Sequence, residues 1–259
     1  MAEETKQKQE KQEYKFPTET IDLPSEGKCY PEGSPLQSGK IDIKYMTAKE
    51  EDILTSENLI KKGLVIDKLL NSLIVTPGIT TDDLLIGDKN AVMVAARILA
   101  YGGQYNCEIQ DPNTGEKQKH SFDLTECKFK GLADGVDYSN NEFELELPVT
   151  KTNITFKLLT GRDEVAITND LKKLKKIGQS GEVTTRLRYV IQSVNGDSER
   201  PVINNFVDNM LSKESFLLRD EINRINPDIN LKQEVEIGGE TTEMDIPMTV
   251  EFFWPKSER

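Results

Sequence analysis

The sequence reads IDIKYMTAKEEDILT over residues 41–55 and ITFKLLTGRDEVAIT over residues 154–168, and the two stretches align without a gap. Each stretch begins with apolar residues at alternating positions, which is the period of a half-buried strand. Each continues with a threonine, acidic residues three and four positions later, and an apolar run, which is the pattern of a capped helix. The sequence therefore predicts a strand that leads directly into a helix, twice in one chain.

The threonines and acidic residues of the two stretches are predicted to cap these helices. Free N–H groups and the positive end of the helix dipole lie at a helix start, so carboxylates are favourable there. The acidic residues of either stretch could instead form the acid/base pair that glycoside hydrolysis needs. These candidates are Glu50, Glu51 and Asp52, or Asp163 and Glu164. Capping explains them without any chemistry, so we expect no catalysis from them. The predicted caps are Thr47, Glu50 and Glu51 in the first stretch and Thr160, Asp163 and Glu164 in the second.

The elements that follow the two stretches also correspond. Each half continues with apolar residues at helical spacing and ends in a hairpin, with turns at residues 111–115 and 238–239. We therefore predict an α+β protein of two tandem, duplicated modules. The predicted division is residues 1–15, a charged tail; residues 16–40, an extended arm rich in proline and glycine; residues 41–126, the first module; residues 127–150, a connecting strand and hairpin; and residues 151–259, the second module.

Periodicity and turn residues also predict the individual elements of each half. The predicted helices cover residues 59–75, a segment opened by Asp88, residues 183–194, residues 201–210 and a segment capped by Ser212. The predicted strands include residues 104–124 as a hairpin, residues 143–147 paired with residues 152–158, and a last strand over residues 246–252.

The composition limits the class of protein. The chain has 259 residues, of which 36% are hydrophobic and 30% are charged, which is typical of a modest core and much solvated or partner-covered surface. No apolar run approaches the roughly 20 residues that span a bilayer, and residues 1–16 lack the apolar core of a signal peptide. The net charge of −12 argues against a general nucleic-acid binder. We expect a protein made in the cytoplasm, with no membrane or nucleic-acid partner.

Four side chains are candidates for a zinc site. Structural zinc sites are usually built from close pairs of ligands, whereas these residues are widely spaced. We therefore predict no metal and no cofactor, with the cysteines as small buried groups and the histidine on the surface. No serine or cysteine motif surrounds the histidine and no glycine-rich phosphate loop occurs, so we predict that the chain is not an enzyme. The four zinc candidates are Cys29, Cys107, His120 and Cys127.

Two apolar segments are candidates for contact with another protein. The arm could anchor to its own chain or to a neighbour's surface. The aromatic residues near position 253 could form a strand buried on both faces within the chain, or an anchor for a partner. On such a strand, alternation puts Phe253 on one face and Phe252 with Trp254 on the other. The candidate partner contacts are Leu23, Pro24, Tyr30 and Pro31 in the arm, and Phe252, Phe253, Trp254 and Pro255 in the aromatic segment.

Several strings of residues resemble a known family. LPSEGKCYPEG, KYMTAKEEDILTS, LLNSLI, GDKN and ARILAYG in the first half, and TGRDE, TTRL, SVNGD and IPMTVEFFWP in the second, are similar to T4-type phage baseplate proteins associated with hub assembly. The resemblance covers residues 20–255 and implies a part or an assembly factor of a contractile tail baseplate, made in the cytoplasm of an infected bacterium. Similar sequences often carry Cys-x-x-Cys pairs at the two hairpin turns, where this chain has only Cys107.

Three functions are left to distinguish. The leading one is a non-catalytic structural or assembly component of the baseplate hub region, which contacts other baseplate or tail proteins and, in one arrangement, copies of itself in a ring. The second is a transient chaperone for the hub or the tape-measure protein, absent from the mature virion. The third, from another class, is a tail-associated hydrolase that would use the acidic residues at the two predicted helix starts.

Overall fold

Helices and strands occur in separate runs along the chain, and the strands form small antiparallel sheets, which confirms the predicted α+β class. The computed structural model describes residues 16–111, 114–115, 117–237 and 240–254, so the predicted tail over residues 1–15 lies outside the described residues. The eight α-helices of the described residues are α1 (Ala48–Leu54), α2 (Glu57–Lys62), α3 (Val65–Leu73), α4 (Ile86–Tyr101), α5 (Gly161–Lys176), α6 (Glu182–Val190), α7 (Arg200–Asn209) and α8 (Ser212–Ile225). The strands are β1 (Thr18–Asp22), β2 (Lys40–Lys44), β3 (Gln104–Gln110), β4 (Lys117–Asp123), β5 (Phe129–Lys130), β6 (Phe143–Glu146), β7 (Asn153–Phe156), β8 (Ile191–Val194), β9 (Asp228–Ile229), β10 (Lys232–Ile237) and β11 (Glu240–Asp245).

The strands form several small antiparallel sheets. β1 pairs with β2, and β5 pairs with β9. β3 and β4 form the hairpin predicted for residues 104–124, and β10 and β11 form the hairpin of the second half. β6, β7 and β8 form a three-stranded sheet, in which Leu145 lies opposite Ile154. The predicted pairing of residues 143–147 with residues 152–158 is therefore confirmed.

The two halves pass through similar elements in the same order. In each half an antiparallel strand pair leads into a helix, and a later helix ends in residues that pair back with the second strand of the pair. After α3, Ile74 bridges to Ile43 of β2. After α6, Ile191 of β8 lies opposite Phe156 of β7. The first half then continues through α4 to its hairpin, and the second continues through α7, α8 and β9 to its own.

Four details of the predicted helices are corrected. Residues 59–75 form two helices because Gly63 adopts a left-handed conformation (φ 72°) and ends α2. Residues 183–194 are helical only as far as Val190, since β8 pairs with β7. Ser212 is the first residue of α8 and not its cap, which is Leu211. Asp88 lies inside the first turn of α4, which begins two residues earlier.

The predicted last strand is also corrected. β11 stops short of it, and Val250–Phe253 form a turn of 3-10 helix. This turn buries Phe252 and Phe253 together, both 0% exposed, whereas a strand would send them to opposite faces. The Phe252 ring lies edge-on to the Tyr105 ring at 5.0 Å, and the Phe252 carbonyl accepts from Arg97 Nε at 2.8 Å. The end of the second half is thereby packed into the core of the first.

The two hairpins also contact each other. The Gln233 side chain accepts from the Asp123 N–H at 3.2 Å and donates to the Asp123 carbonyl at 2.5 Å. Gln118 Nε2 donates to the Glu236 carbonyl at 3.0 Å. One cluster of buried apolar side chains accordingly runs from the first half into the second.

Gly87 marks a close approach between α4 and the chain that follows α8. A Cβ at Gly87 would lie 1.9 Å from the Pro227 carbonyl oxygen, and a backbone atom cannot rotate away. We therefore expect Gly87→Ala to lower the free energy of unfolding by about 1–3 kcal/mol through overpacking, as measured by urea denaturation. Gly131→Ala is the matched control, because no atom of the described residues lies within 4 Å of its Cβ position. Equal losses in the two variants would contradict this prediction.

Candidate functional site

Thr47 is the N-cap of α1, and Glu50 completes a capping box with it. Glu50 Oε2 accepts from the Thr47 N–H at 3.0 Å and from its hydroxyl at 2.5 Å, while Lys44 Nζ donates to Oε1 at 2.8 Å. The Glu50 side chain is only 1% exposed. Burial opposes its ionisation, but the hydrogen bonds from Lys44 and Thr47 outweigh burial and hold the pKa of Glu50 below its ordinary value.

Thr160 and Asp163 form the same arrangement at the start of α5. Asp163 Oδ2 accepts from the N–H and the hydroxyl of Thr160, both at 3.0 Å. Lys157 Nζ donates to both carboxylate oxygens at 2.8 and 2.9 Å. In both stretches the lysine stands six residues before the carboxylate, so the ion pair joins the strand to the helix that follows it.

The next acidic residue in each stretch bonds to a residue farther along the chain. Glu51 accepts from the Tyr101 hydroxyl at 3.3 Å. Glu164 accepts from both terminal nitrogens of Arg186. Four of the five candidate catalytic carboxylates therefore have structural partners, and these contacts account for two helix starts and their surroundings, while the fifth, Asp52, is exposed.

We expect Glu50→Gln to lower the free energy of unfolding by about 2 kcal/mol at neutral pH, because an amide cannot replace a carboxylate that accepts three hydrogen bonds. The folded-state pKa of Glu50 lies below the unfolded-state value. The contribution of Glu50 is therefore present above the ordinary carboxyl range and lost as pH falls through the folded-state value. Urea unfolding across this pH range measures both effects.

Asp52→Asn is the control for that variant, because Asp52 is exposed in the same helix. We expect its free energy of unfolding to stay within about 0.5 kcal/mol of the wild type. A difference between wild type and Glu50→Gln that did not change with pH would contradict the assignment of the effect to the ionised carboxylate.

Asp88 is the centre of a buried polar cluster. It is the third residue of α4 and is 0% exposed. Its Oδ1 accepts from the Ser25 N–H at 2.9 Å, and its Oδ2 accepts from the hydroxyls of Ser25 and Tyr30 at 2.6 and 2.5 Å. The Tyr30 hydroxyl in turn accepts from the N–H of Leu85, the cap residue of α4, at 2.9 Å. The cluster fastens the loop after β1 onto the start of α4.

Burial sets the electrostatics of this cluster. Desolvation raises the pKa of Asp88, the hydrogen bonds from Ser25 and Tyr30 lower it, and the nearby Asp228 raises it further, with a net upward shift. Burial, reinforced by Asp88, also raises the pKa of Tyr30. Tyr30 therefore stays protonated, and its O–H group donates the hydrogen bond to Asp88.

Glu214 performs the corresponding task in the second half. It is the third residue of α8 and is buried. Its Oε1 accepts from the N–H groups of Val149 and Thr150 at 3.0 and 2.8 Å. Sequence reasoning missed both buried carboxylates as sites. The signal that could have found them is an acidic residue in the first turn of a helix together with a Leu-Pro pair that ends an earlier strand, at residues 23–24 and 147–148.

Most of the arm's candidate partner contacts lie inside the molecule. Leu23, Pro24 and Tyr30 are buried, because this segment packs into the core and Tyr30 bonds to Asp88, whereas Pro31 is exposed. The arm therefore packs against its own chain and not against a neighbour's surface. This burial corrects the assignment of the first three residues as partner contacts.

The aromatic segment divides in the same way. The burial of Phe252 and Phe253 corrects their assignment as partner contacts, since both pack against the chain itself. Trp254 is 45% exposed and faces solvent. Pro255 lies outside the described residues.

The four zinc candidates do not gather into one site. Cys107 and His120 lie opposite each other on β3 and β4. Cys127 Sγ accepts from Gln233 Nε2 at 3.8 Å. Burial raises the pKa of the Cys29 thiol to about 12, so it is protonated at neutral pH. Within residues 16–111, 114–115, 117–237 and 240–254, no group of three or more His, Cys, Asp or Glu side chains is placed to hold a metal ion.

The carboxylates described above serve the helix starts and loops of the chain itself. No helix in the described ranges is both long and apolar enough to cross a bilayer.

The chain belongs to the T4 bacteriophage base plate protein family, whose model matches residues 15–254, and this confirms the resemblance seen in the sequence. Membership implies a place in the virion tail and contacts with other tail proteins. No curated protein and no solved structure matches the chain.

Proposed function

We propose that this protein is a non-catalytic structural component of the hub region of a contractile tail baseplate, where it works through protein–protein contacts. Family membership over residues 15–254 is the observation that carries the proposal. The use of Glu50, Asp163 and the two buried carboxylates for internal hydrogen bonds supports it. Pro31 and Trp254, the exposed members of the candidate contacts, are proposed to face neighbouring tail proteins.

We also propose that the chain arose by duplication, with residues 41–126 and 151–259 as the two modules. The paired capping boxes support this, as does the use of Asp88 and Glu214, each the third residue of a helix, to hold a loop that follows a Leu-Pro pair. Because these loops follow β1 and β6, the repeated unit would include those strands as well. Two similar modules in one chain can occupy quasi-equivalent positions in a ring.

Mass spectrometry of purified virions tests the structural role. We expect peptides of this chain at a constant ratio to other tail proteins, and we expect a reconstruction of the intact tail to place the chain in the baseplate hub. Absence from virions, combined with presence in infected cells during tail assembly, would favour a transient chaperone and would contradict the structural proposal.

A further inference from the structure

The turn between α5 and α6 forms an exposed cationic projection. Lys175 and Lys176 end α5, and every residue from 175 to 180 is exposed. Ile177 is 67% exposed and Val183 is 45% exposed, so apolar side chains lie among the charges. We name this projection the cationic tip, and its members are Lys62, Lys172, Lys175, Lys176, Ile177 and Val183.

The end of α2 joins this tip. Lys172 Nζ donates to the Lys62 carbonyl at 3.2 Å, which brings the last turn of α2 against α5. Within the part of the chain that the structure describes, ion pairs engage Lys61 and Lys173 but none of the four lysines of the tip. The negative dipole ends of two helices account for lysines at this place. They do not account for an isoleucine that is two-thirds exposed beside them.

A groove of opposite charge lies on another part of the surface. Its volume is about 520 Å³, which is in the range of binding clefts. Phe143 and Phe156 border the groove but are themselves buried. Among the described residues that line it, Arg224 is the one cation, and it pairs with Glu221. We name it the acidic groove after its carboxylates, which are Asp137, Glu142, Glu144 and Glu221.

The tip cannot enter the groove of its own molecule. β7 contributes Phe156 to the groove and leads directly into α5, whose far end carries the tip. The 16 residues of α5 hold the two ends about 24 Å apart. If this tip occupies such a groove, the groove therefore belongs to another molecule.

We propose that the cationic tip of one molecule docks into the acidic groove of a second copy of this chain. Charge is complementary across the contact, which brings the lysines of the tip to the carboxylates of the groove. The contact is heterologous, because different surfaces of the two copies meet, so it generates a ring if the rotation closes. The contact between tip and groove would be the interface of the ring described under the proposed function. The proposal of this contact rests on the proposed function only for its location in the baseplate.

Sedimentation of the purified full chain at low and high ionic strength tests the contact. We expect reversible self-association that weakens about tenfold or more between about 0.01 M and about 1 M salt, over which the Debye length falls from about 30 Å to about 3 Å. A wild-type chain that stays monomeric at low salt would overturn the proposal. A chain that bound an acidic partner protein but did not associate with itself would overturn it as well. Virion mass spectrometry reports on the proposed function independently.

Charge reversal identifies the two surfaces. We expect Lys175→Glu/Lys176→Glu and Glu142→Lys/Glu144→Lys each to abolish self-association. We expect a mixture of the two variants to associate, because the unchanged tip of the groove variant then meets the unchanged groove of the tip variant, and the reversed tip meets the reversed groove. All four positions are exposed, and circular dichroism verifies that the variants fold. Unchanged association of either variant, or a mixture that fails to associate, would overturn the proposal.

A control separates the specific contact from the change in net charge. Lys49→Glu/Lys213→Glu alters the net charge of the chain as much as the reversed tip does, and both positions are exposed near helix starts, where acidic residues are tolerated. We expect this variant to associate as the wild type does. Equal loss of association in this control and in the tip variant would overturn the proposal.

Discussion

The Asp88→Ala variant is expected to unfold with a free energy about 3 kcal/mol below that of the wild type. The substitution removes the acceptor for the Ser25 N–H, the Ser25 hydroxyl and the Tyr30 hydroxyl, all of which are buried. A buried donor without a partner costs about 1–3 kcal/mol. Because these donors belong to the loop after β1, we also expect the substitution to change hydrogen exchange locally. Relative to the wild type, exchange should accelerate more over residues 18–30 than over α4.

Urea denaturation and hydrogen exchange measure the two effects of this variant. Glu57→Ala is the control, since Glu57 is also in the first turn of a helix but its side chain is 82% exposed, and we expect it to change stability by less than about 0.5 kcal/mol. An Asp88→Ala chain as stable as this control would mean that the cost of burying the carboxylate offsets its hydrogen bonds.

The Phe252→Ala variant is expected to lose about 3–5 kcal/mol of unfolding free energy. The ring is fully buried between the Tyr105 and Phe253 rings, at centroid distances of 5.0 and 5.2 Å, so its removal leaves a cavity that neighbours in a folded core fill only partly. We also expect the β3–β4 hairpin to exchange its amide hydrogens faster, because it packs on this ring.

Trp254→Ala is the matched control for the aromatic turn. Its ring is larger, but it faces solvent, so we expect a change of about 0.5 kcal/mol or less in the same urea titration. If the tryptophan variant lost as much stability as the phenylalanine variant, the burial of Phe252 would not be the cause of the effect.

Local patterns were sufficient for the elements whose partners lie nearby in the sequence. The capping boxes follow from a threonine with an acidic residue three positions later, and both partners lie within one helical turn. The β3–β4 hairpin follows from alternation around a turn, and its strands are joined by a few residues. Composition and the strings of family-like residues were sufficient for the class of protein.

Long-range contacts decided the features that the sequence did not predict. Residues 191–194 follow a helical pattern without a break, and only pairing with β7 makes them a strand. From the sequence alone, the dipole of α4 is enough to explain an aspartate at position 88. The hydrogen-bond partner of Asp88, Ser25, is 63 residues away and could not be found from a local pattern. Alternation on a strand could not show that a 3-10 turn buries Phe252 and Phe253 side by side, because Arg97 and Tyr105 hold that turn.

The hydrogen bond between Arg97 and the Phe252 carbonyl also has a consequence for biosynthesis. The two residues are 155 positions apart. At translation rates of about 5–20 residues per second, the ribosome adds Phe252 roughly 8 to 30 s after Arg97. During this interval the nascent first half exposes the apolar surface around Tyr105 that the aromatic turn later covers. Chains released before this turn is made keep that surface uncovered, which marks incomplete products for proteases and chaperones before they reach an assembling tail.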